Sequence, residues 1–125
     1  MSAMSGAHAH LAKAREFLEA AELEHSQDLY NAATSNAVLS GINSKDAICL
    51  KLAGKTNKAD DHSAAVRELA ATGTDGRGLA PALKRLLAQK TKAQYQTTGI
   101  TESSARRAIE QATRLYDAAQ RIVTS

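Results

Sequence analysis

Apolar positions recur at intervals of three and four along most of this chain, the spacing of one face of an α-helix. Leu11, Ala14, Leu18 and Ala21 form the first stripe, widened by Phe17 and Ala20. Lys13, Arg15, Glu16, Glu19 and Glu22 fill the opposite face. Arg15 and Glu19 can pair across one turn. The pattern predicts a first helix from about His8 to a loosening at residues 24–26, after a flexible N-terminus over residues 1–7.

A second helix is predicted from Ser26 or Gln27 to about Leu52, with Gly54 as its C-cap. Its stripe consists of small side chains: Ala33, Ala37, Ser40, Gly41, Ser44 and Ala47, followed by Ile48. Such a row lets another helix approach closely. Gly41 costs about 1 kcal/mol against alanine in a helix interior, so it marks a tight crossing or a bend. Asn36 and Asn43 share a face one heptad apart. Turned inward they need hydrogen bonds and would fix the register of a helix contact; turned to water they mean little.

Residues 55–59 read as a loop. Asp60 or Asp61 can cap a short helix carrying Val66, Leu69 and Ala70. Residues 72–78, TGTDGRG, hold three glycines and read as a second loop. Pro81 then falls in the first turn of a helix that presents Leu79, Leu83, Leu86 and Leu87 and fades near Tyr95. Thr101 is a good N-cap for the last helix, with Glu102 favoured by the dipole of the first turn. Ala105, Ala108, Ala112, Leu115, Ala119 and Ile122 keep the helical period to the end. The expected fold is all-α: an up-and-down four-helix bundle with one additional short helix, a single domain over residues 8–125.

Composition agrees with that class. Hydrophobic residues make up 43% and aromatics 3%; there are 26 alanines and one proline. A chain so poor in strand formers excludes a sandwich, a barrel and a doubly wound sheet. One cysteine excludes a disulfide framework and a Cys-based zinc site. Cys49, between Ile48 and Leu50, reads as a buried and inert thiol. No metal site and no cofactor are expected. No apolar run is long enough to span a membrane, and the N-terminus has no apolar core of a signal peptide, so the cytoplasm is the expected compartment.

The net charge of +3 is mild, but its distribution is uneven. Residues 76–101 contain Arg77, Lys84, Arg85, Lys90 and Lys92 and no acid; residues 16–28 contain five acids and no Lys or Arg. The basic run can follow the phosphates of a nucleic acid. Equally, the two stretches can face each other or simply solvate the bundle. Only Tyr95 interleaves the basic run as a stacking platform. The group Asp60, Asp61 and His62 suits a metal or acid–base site. It suits a capped helix start as well. TGTDGRG lacks the preceding strand and following Lys-Ser or Lys-Thr of a phosphate loop.

Four segments in order, FLEAAELEHSQDLYNAATSNAVLSGINSKDAICL, DDHSAAVREL, LKRLLAQKTKAQYQ and ITESSARRAIEQATRLYDAA, resemble the HEPN domain family of the bundle type. The resemblance covers about residues 10–123. It implies a compact helical bundle that pairs as a homodimer. In many members it implies work beside a nucleotidyltransferase partner protein in toxin–antitoxin or defence systems. Catalytic members are metal-independent ribonucleases whose R-x(4-6)-H motif forms a composite site across the dimer. Here His8, His10, His25 and His62 have no arginine at that spacing; only Lys55 precedes His62 so. Asn36 and Asn43 stand where some relatives carry Arg and His. Lys90, Lys92 and Tyr95 stand where nuclease members place their basic residue and His, and a tyrosine titrating near ~10 is a poor base at neutral pH.

The expected function is therefore a non-catalytic HEPN-like bundle acting as a dimeric binding module. Arg77, Lys84, Arg85, Lys90 and Lys92 would contact nucleic acid, with RNA as the candidate, and Asn36, Ser40, Gly41 and Asn43 would form the dimer interface. One alternative is a diverged metal-independent ribonuclease using His62, Lys90, Lys92 or Tyr95. Another is a protein-interaction module with no nucleic-acid role.

Overall fold

Among the described residues, five helices follow one another: α1 (Ala3–Ser26), α2 (Tyr30–Ala53), α3 (His62–Ala70), α4 (Thr74–Tyr95) and α5 (Glu102–Thr124). The computed structural model describes residues 2–58, 61–95 and 99–125, and the backbone alone for 93–95. Among the described residues there is no strand, so the class is all-α, with four long helices and one short one. α2 and α5 pack along each other. α1 lies against both on one side and α4 against both on the other, so α1 and α4 are not neighbours. α3 packs on α4 and touches α2 only lightly. No helix among the described residues is long and apolar enough to cross a membrane.

α1 starts five residues earlier than the periodicity at His8 suggested. The Ser2 side chain accepts the Ser5 N–H at 3.1 Å as an N-cap. Ala7 is fully buried and extends the stripe of Leu11, Ala14, Leu18 and Ala21 by one turn. Small residues hid that turn from a hydrophobicity reading. The expected flexible segment is thus helical from Ala3. At the other end Asp28 takes a left-handed φ of 62°. That turn delays α2 to Tyr30, beyond the start expected at Ser26 or Gln27. α2 ends as expected on Gly54, in the left-handed region at φ 76°.

Asp61 caps α3 by accepting the Ser63 N–H at 2.9 Å; Asp60 lies outside the described residues. The glycine-rich segment 72–78 is not a loop, because α4 begins within it at Thr74. The cause is steric. A Cβ on Gly76 would overlap the Leu69 carbonyl and the Thr72 hydroxyl, so glycine here serves the close approach of α4 to the end of α3. Pro81 consequently lies inside α4 and not in its first turn. It is exposed, and its missing N–H leaves the Arg77 carbonyl without the usual helical donor.

α5 starts as the sequence predicts: Thr101 accepts the Ser104 N–H at 3.1 Å. The core joins Leu18, Val38, Ile48, Leu83, Leu86, Leu115 and Val123 across four helices, with buried alanines between them. Alanine offers little apolar area per residue, so this core depends on short interhelical distances.

Candidate functional site

The small-residue stripe of α2 is spent inside the chain. Ser40 is fully buried, and its hydroxyl donates to the Ala14 carbonyl of α1 at 2.7 Å. Gly41 faces Leu86 of α4 and Leu115 of α5; a Cβ there would overlap Leu86. Neither residue has surface to offer another chain, which corrects their placement at an interface. Asn36 and Asn43 also work within the chain. Asn36 Nδ2 donates to Glu24 Oε1 at 2.6 Å, and the His10 Nδ1–H donates to Asn43 Oδ1 at 2.8 Å. Asn43 Nδ2 donates to the Leu39 carbonyl at 2.9 Å. The two amides fix a register, as inward asparagines do, but it is the register of α1 on α2.

Further along α2 stands Lys45, only 2% exposed. Its Nζ donates to Asp46 Oδ1 at 3.1 Å, to Thr56 Oγ1 at 2.9 Å and to the Asn57 carbonyl at 3.3 Å, and it pairs with Glu68 of α3. The Thr56 hydroxyl donates to Asp46 Oδ1 at 2.6 Å, and Glu68 accepts the Asn57 N–H at 3.2 Å. Burial alone would lower the Lys45 pKa, but the bond to Glu68 and the charge of Asp46 outweigh it, so the ammonium is held above its ordinary value. Burial likewise opposes ionisation of Glu68, yet Lys45 and the Asn57 N–H hold its carboxyl below the usual range. A permanently charged, fully partnered lysine is neither a base nor a nucleophile. The group is a latch joining α2, the following loop and α3. Periodicity held a signal for it: Lys45 is four residues after Gly41 and three before Ile48, a charge on a buried stripe.

Beside the latch lies a cavity of about 430 Å³. Ile42, Ala65, Leu83 and Leu87 form its apolar walls, and Asn57, Lys58, His62 and Lys90 stand at its rim. The cavity brings together His62 and Lys90, two of the four residues considered for catalysis. Lys92 is exposed and, two residues on, lies roughly 200° around the helix from Lys90. The Tyr95 side chain lies outside the described residues. His62, Lys90 and Lys92 therefore do not converge on one centre. Cys49 is fully buried, and burial pushes its thiol up to about 12, which makes it inert at neutral pH as expected.

Arg77, Lys84 and Arg85 line one shallow groove with Val66, Ala80, Pro81 and Ala88. Lys84 also borders a second groove with Arg67 and Ser63 of α3. Exposed Lys92 follows on the same face of α4, while Lys90 turns away to the cavity. None of Arg67, Arg77, Lys84, Arg85 and Lys92 forms an ion pair among the described residues. Arg67 was outside the basic run in the sequence; the packing of α3 on α4 adds it. The acidic stretch, by contrast, lies mostly on α1, which does not neighbour α4, so the two charged stretches do not face each other within the chain.

A comparison with curated proteins finds no match to the chain. The family model described as "HEPN domain" matches residues 7–122, nearly the whole bundle from the buried turn at Ala7 to the last turn of α5. With that match over all five helices, the chain belongs to the HEPN domain family.

Proposed function

We propose that this protein is a non-catalytic HEPN member, a dimeric binding module that holds the phosphate backbone of RNA on the outer face of α3 and α4, in a toxin–antitoxin or defence setting beside a nucleotidyltransferase partner. The observation that carries the reading is the row of exposed cations, Arg67, Arg77, Lys84, Arg85 and Lys92, without acid partners among the described residues. Cations spaced along one helix face match a charged strand, and such binding gains from counterion release. The absence of R-x(4-6)-H, together with Lys92 lying on a different face from His62 and Lys90, supports a role without cleavage. Because Ser40 and Gly41 are internal, the dimer contact belongs on other surfaces; exposed Leu23, Leu29 and Leu39 of the α1–α2 side are available for it. The apolar floor of the grooves, Val66, Ala80, Pro81 and Ala88, favours one second reading, an acidic helix of a partner protein in place of RNA.

The test is binding of a single-stranded RNA across a salt series. Five neutralised phosphates give a log–log slope of roughly −3.5. Changing Arg77, Lys84, Arg85 and Lys92 together to Glu removes binding, and the RNA stays intact throughout. Salt-independent or absent binding ends the RNA reading, and metal-free cleavage lost in His62→Ala replaces it with the ribonuclease one. Sedimentation as a monomer at tens of micromolar ends the dimer.

A further inference from the structure

The cavity under α3 is a separate feature from the basic face, and its chemistry is more selective. Its volume of about 430 Å³ falls within the ~300–1,000 Å³ of small-molecule sites. Leu83 and Leu87, one turn apart on α4, border it but are 0% and 2% exposed, so the half-buried Ile42 of α2 and Ala65 of α3 supply its accessible apolar wall. Ala65 closes it from α3. Here the Lys45–Glu68 latch sets the spacing of α3 from α2, and the gap behind it stays unfilled. Apolar side chains facing a gap, here Ile42 and Ala65, forgo dispersion contacts that an apolar body would restore.

The charges define the rest of the ligand. Lys45 has its donors committed to Asp46, Thr56, Glu68 and the Asn57 carbonyl, so it is not available to a guest. The latch, two carboxylates about one ammonium, carries one net negative charge. Lys58 and Lys90 on the rim carry two positive ones. The latch and the two rim lysines together thus carry a single positive charge beside the apolar wall. We infer that this cavity is a binding site for a small organic monoanion, a compact hydrocarbon or ring body with its hydrocarbon against Ile42 and Ala65 and one carboxylate or sulfonate head between Lys58 and Lys90. A neutral molecule leaves the rim charge unmatched, and a cation adds to it.

The experiment uses anilinonaphthalene sulfonate as the probe, a ring-bodied monoanion that fluoresces when it leaves water. The intact protein gives a saturable, one-to-one enhancement. Octanoate displaces the probe; octylammonium, with the same hydrocarbon and opposite charge, does not. Lys90→Glu weakens probe binding at least tenfold, and Ala65→Phe, which fills the space, abolishes it. Arg114→Glu, on the exposed face of α5, leaves it unchanged. Circular dichroism confirms that each variant keeps its helices, and Lys90→Glu decides the matter if Ala65→Phe does not fold. The site is refuted by a non-saturable response of the wild type, by equal displacement with octanoate and octylammonium, or by Lys90→Glu binding as the wild type does. RNA binding is measured in parallel: its loss in the four-Glu variant with probe binding intact separates failure of one reading from failure of the other.

Discussion

α2 closes two unlike contacts. Along residues 33–44 it meets α1, α4 and α5 with Ala, Ser and Gly, and at Lys45 it meets α3 with an ammonium between two carboxylates. The first contact gains its stability from many small dispersion terms at short range and has no spare volume. The second gains it from a few directional bonds and leaves a cavity beside them. One contact is therefore sensitive to added atoms and the other to a missing partner.

The largest expected effect comes from removing that partner. Lys45→Met leaves Asp46 and Glu68 facing each other beside a low-dielectric wall and costs about 3–5 kcal/mol, read from urea midpoints. A Lys45→Met/Glu68→Met double variant recovers part of the loss, since it removes the unpaired charge as well. The pH dependence has a definite sign. Glu68 is held below its ordinary pKa in the folded protein, so its contribution is complete above about pH 4.3 and is lost as pH falls through its folded value. Lys45 is held above its ordinary value, so its contribution is complete below about pH 10.4 and is lost as pH rises through its folded value. Wild type and Lys45→Met therefore converge in acid. A gap that stays constant from pH 7 to pH 3 removes the ionic account of the latch.

The small-residue contact is broken by volume. Gly41→Ala forces Leu86 aside and brings a methyl within 3.3 Å of Leu115 Cδ1, at a cost of about 1–3 kcal/mol, with sedimentation unchanged because the contact is internal. A variant as stable as the wild type but altered in sedimentation would return Gly41 to an intermolecular role. The smallest effect sharpens the contrast. Ser40→Ala loses the hydroxyl bond to Ala14 but keeps the close approach, and costs about 0.5–1.5 kcal/mol by the same measurement.

Wherever apolar spacing and local capping decide the outcome, the sequence was a sufficient guide. α5, with Thr101 at its start and nine buried residues at helical intervals, is the clearest case. The HEPN resemblance rested on such patterns and agrees with the family match. Glycine misled at residues 72–78, because Gly76 looks the same whether it loosens a chain or admits a neighbouring backbone. Alanine misled at the N-terminus, where Ala7 is as buried as any leucine but adds little to a hydrophobicity pattern. The candidate site was legible only in pieces. His62 and Lys90 were flagged singly, but their meeting at one cavity depends on how α3 lies across α2 and α4, which no local pattern encodes. Arg67 joined the basic face for the same reason.

The latch also has a consequence in time. Leu69 is the one fully buried residue of α3, so little besides the Lys45 group holds that helix to α2. Release of a few polar bonds can free it from α2 while α1, α2 and α5 stay packed, and such sub-global openings are what amide hydrogen exchange detects. The α3 amides accordingly exchange orders of magnitude faster than those in the middle of α5, with no need for the whole bundle to unfold. Acid that neutralises Glu68 quickens that exchange beyond the change in intrinsic chemistry. The helix that borders the cavity is thus expected to open ahead of the α1, α2 and α5 packing.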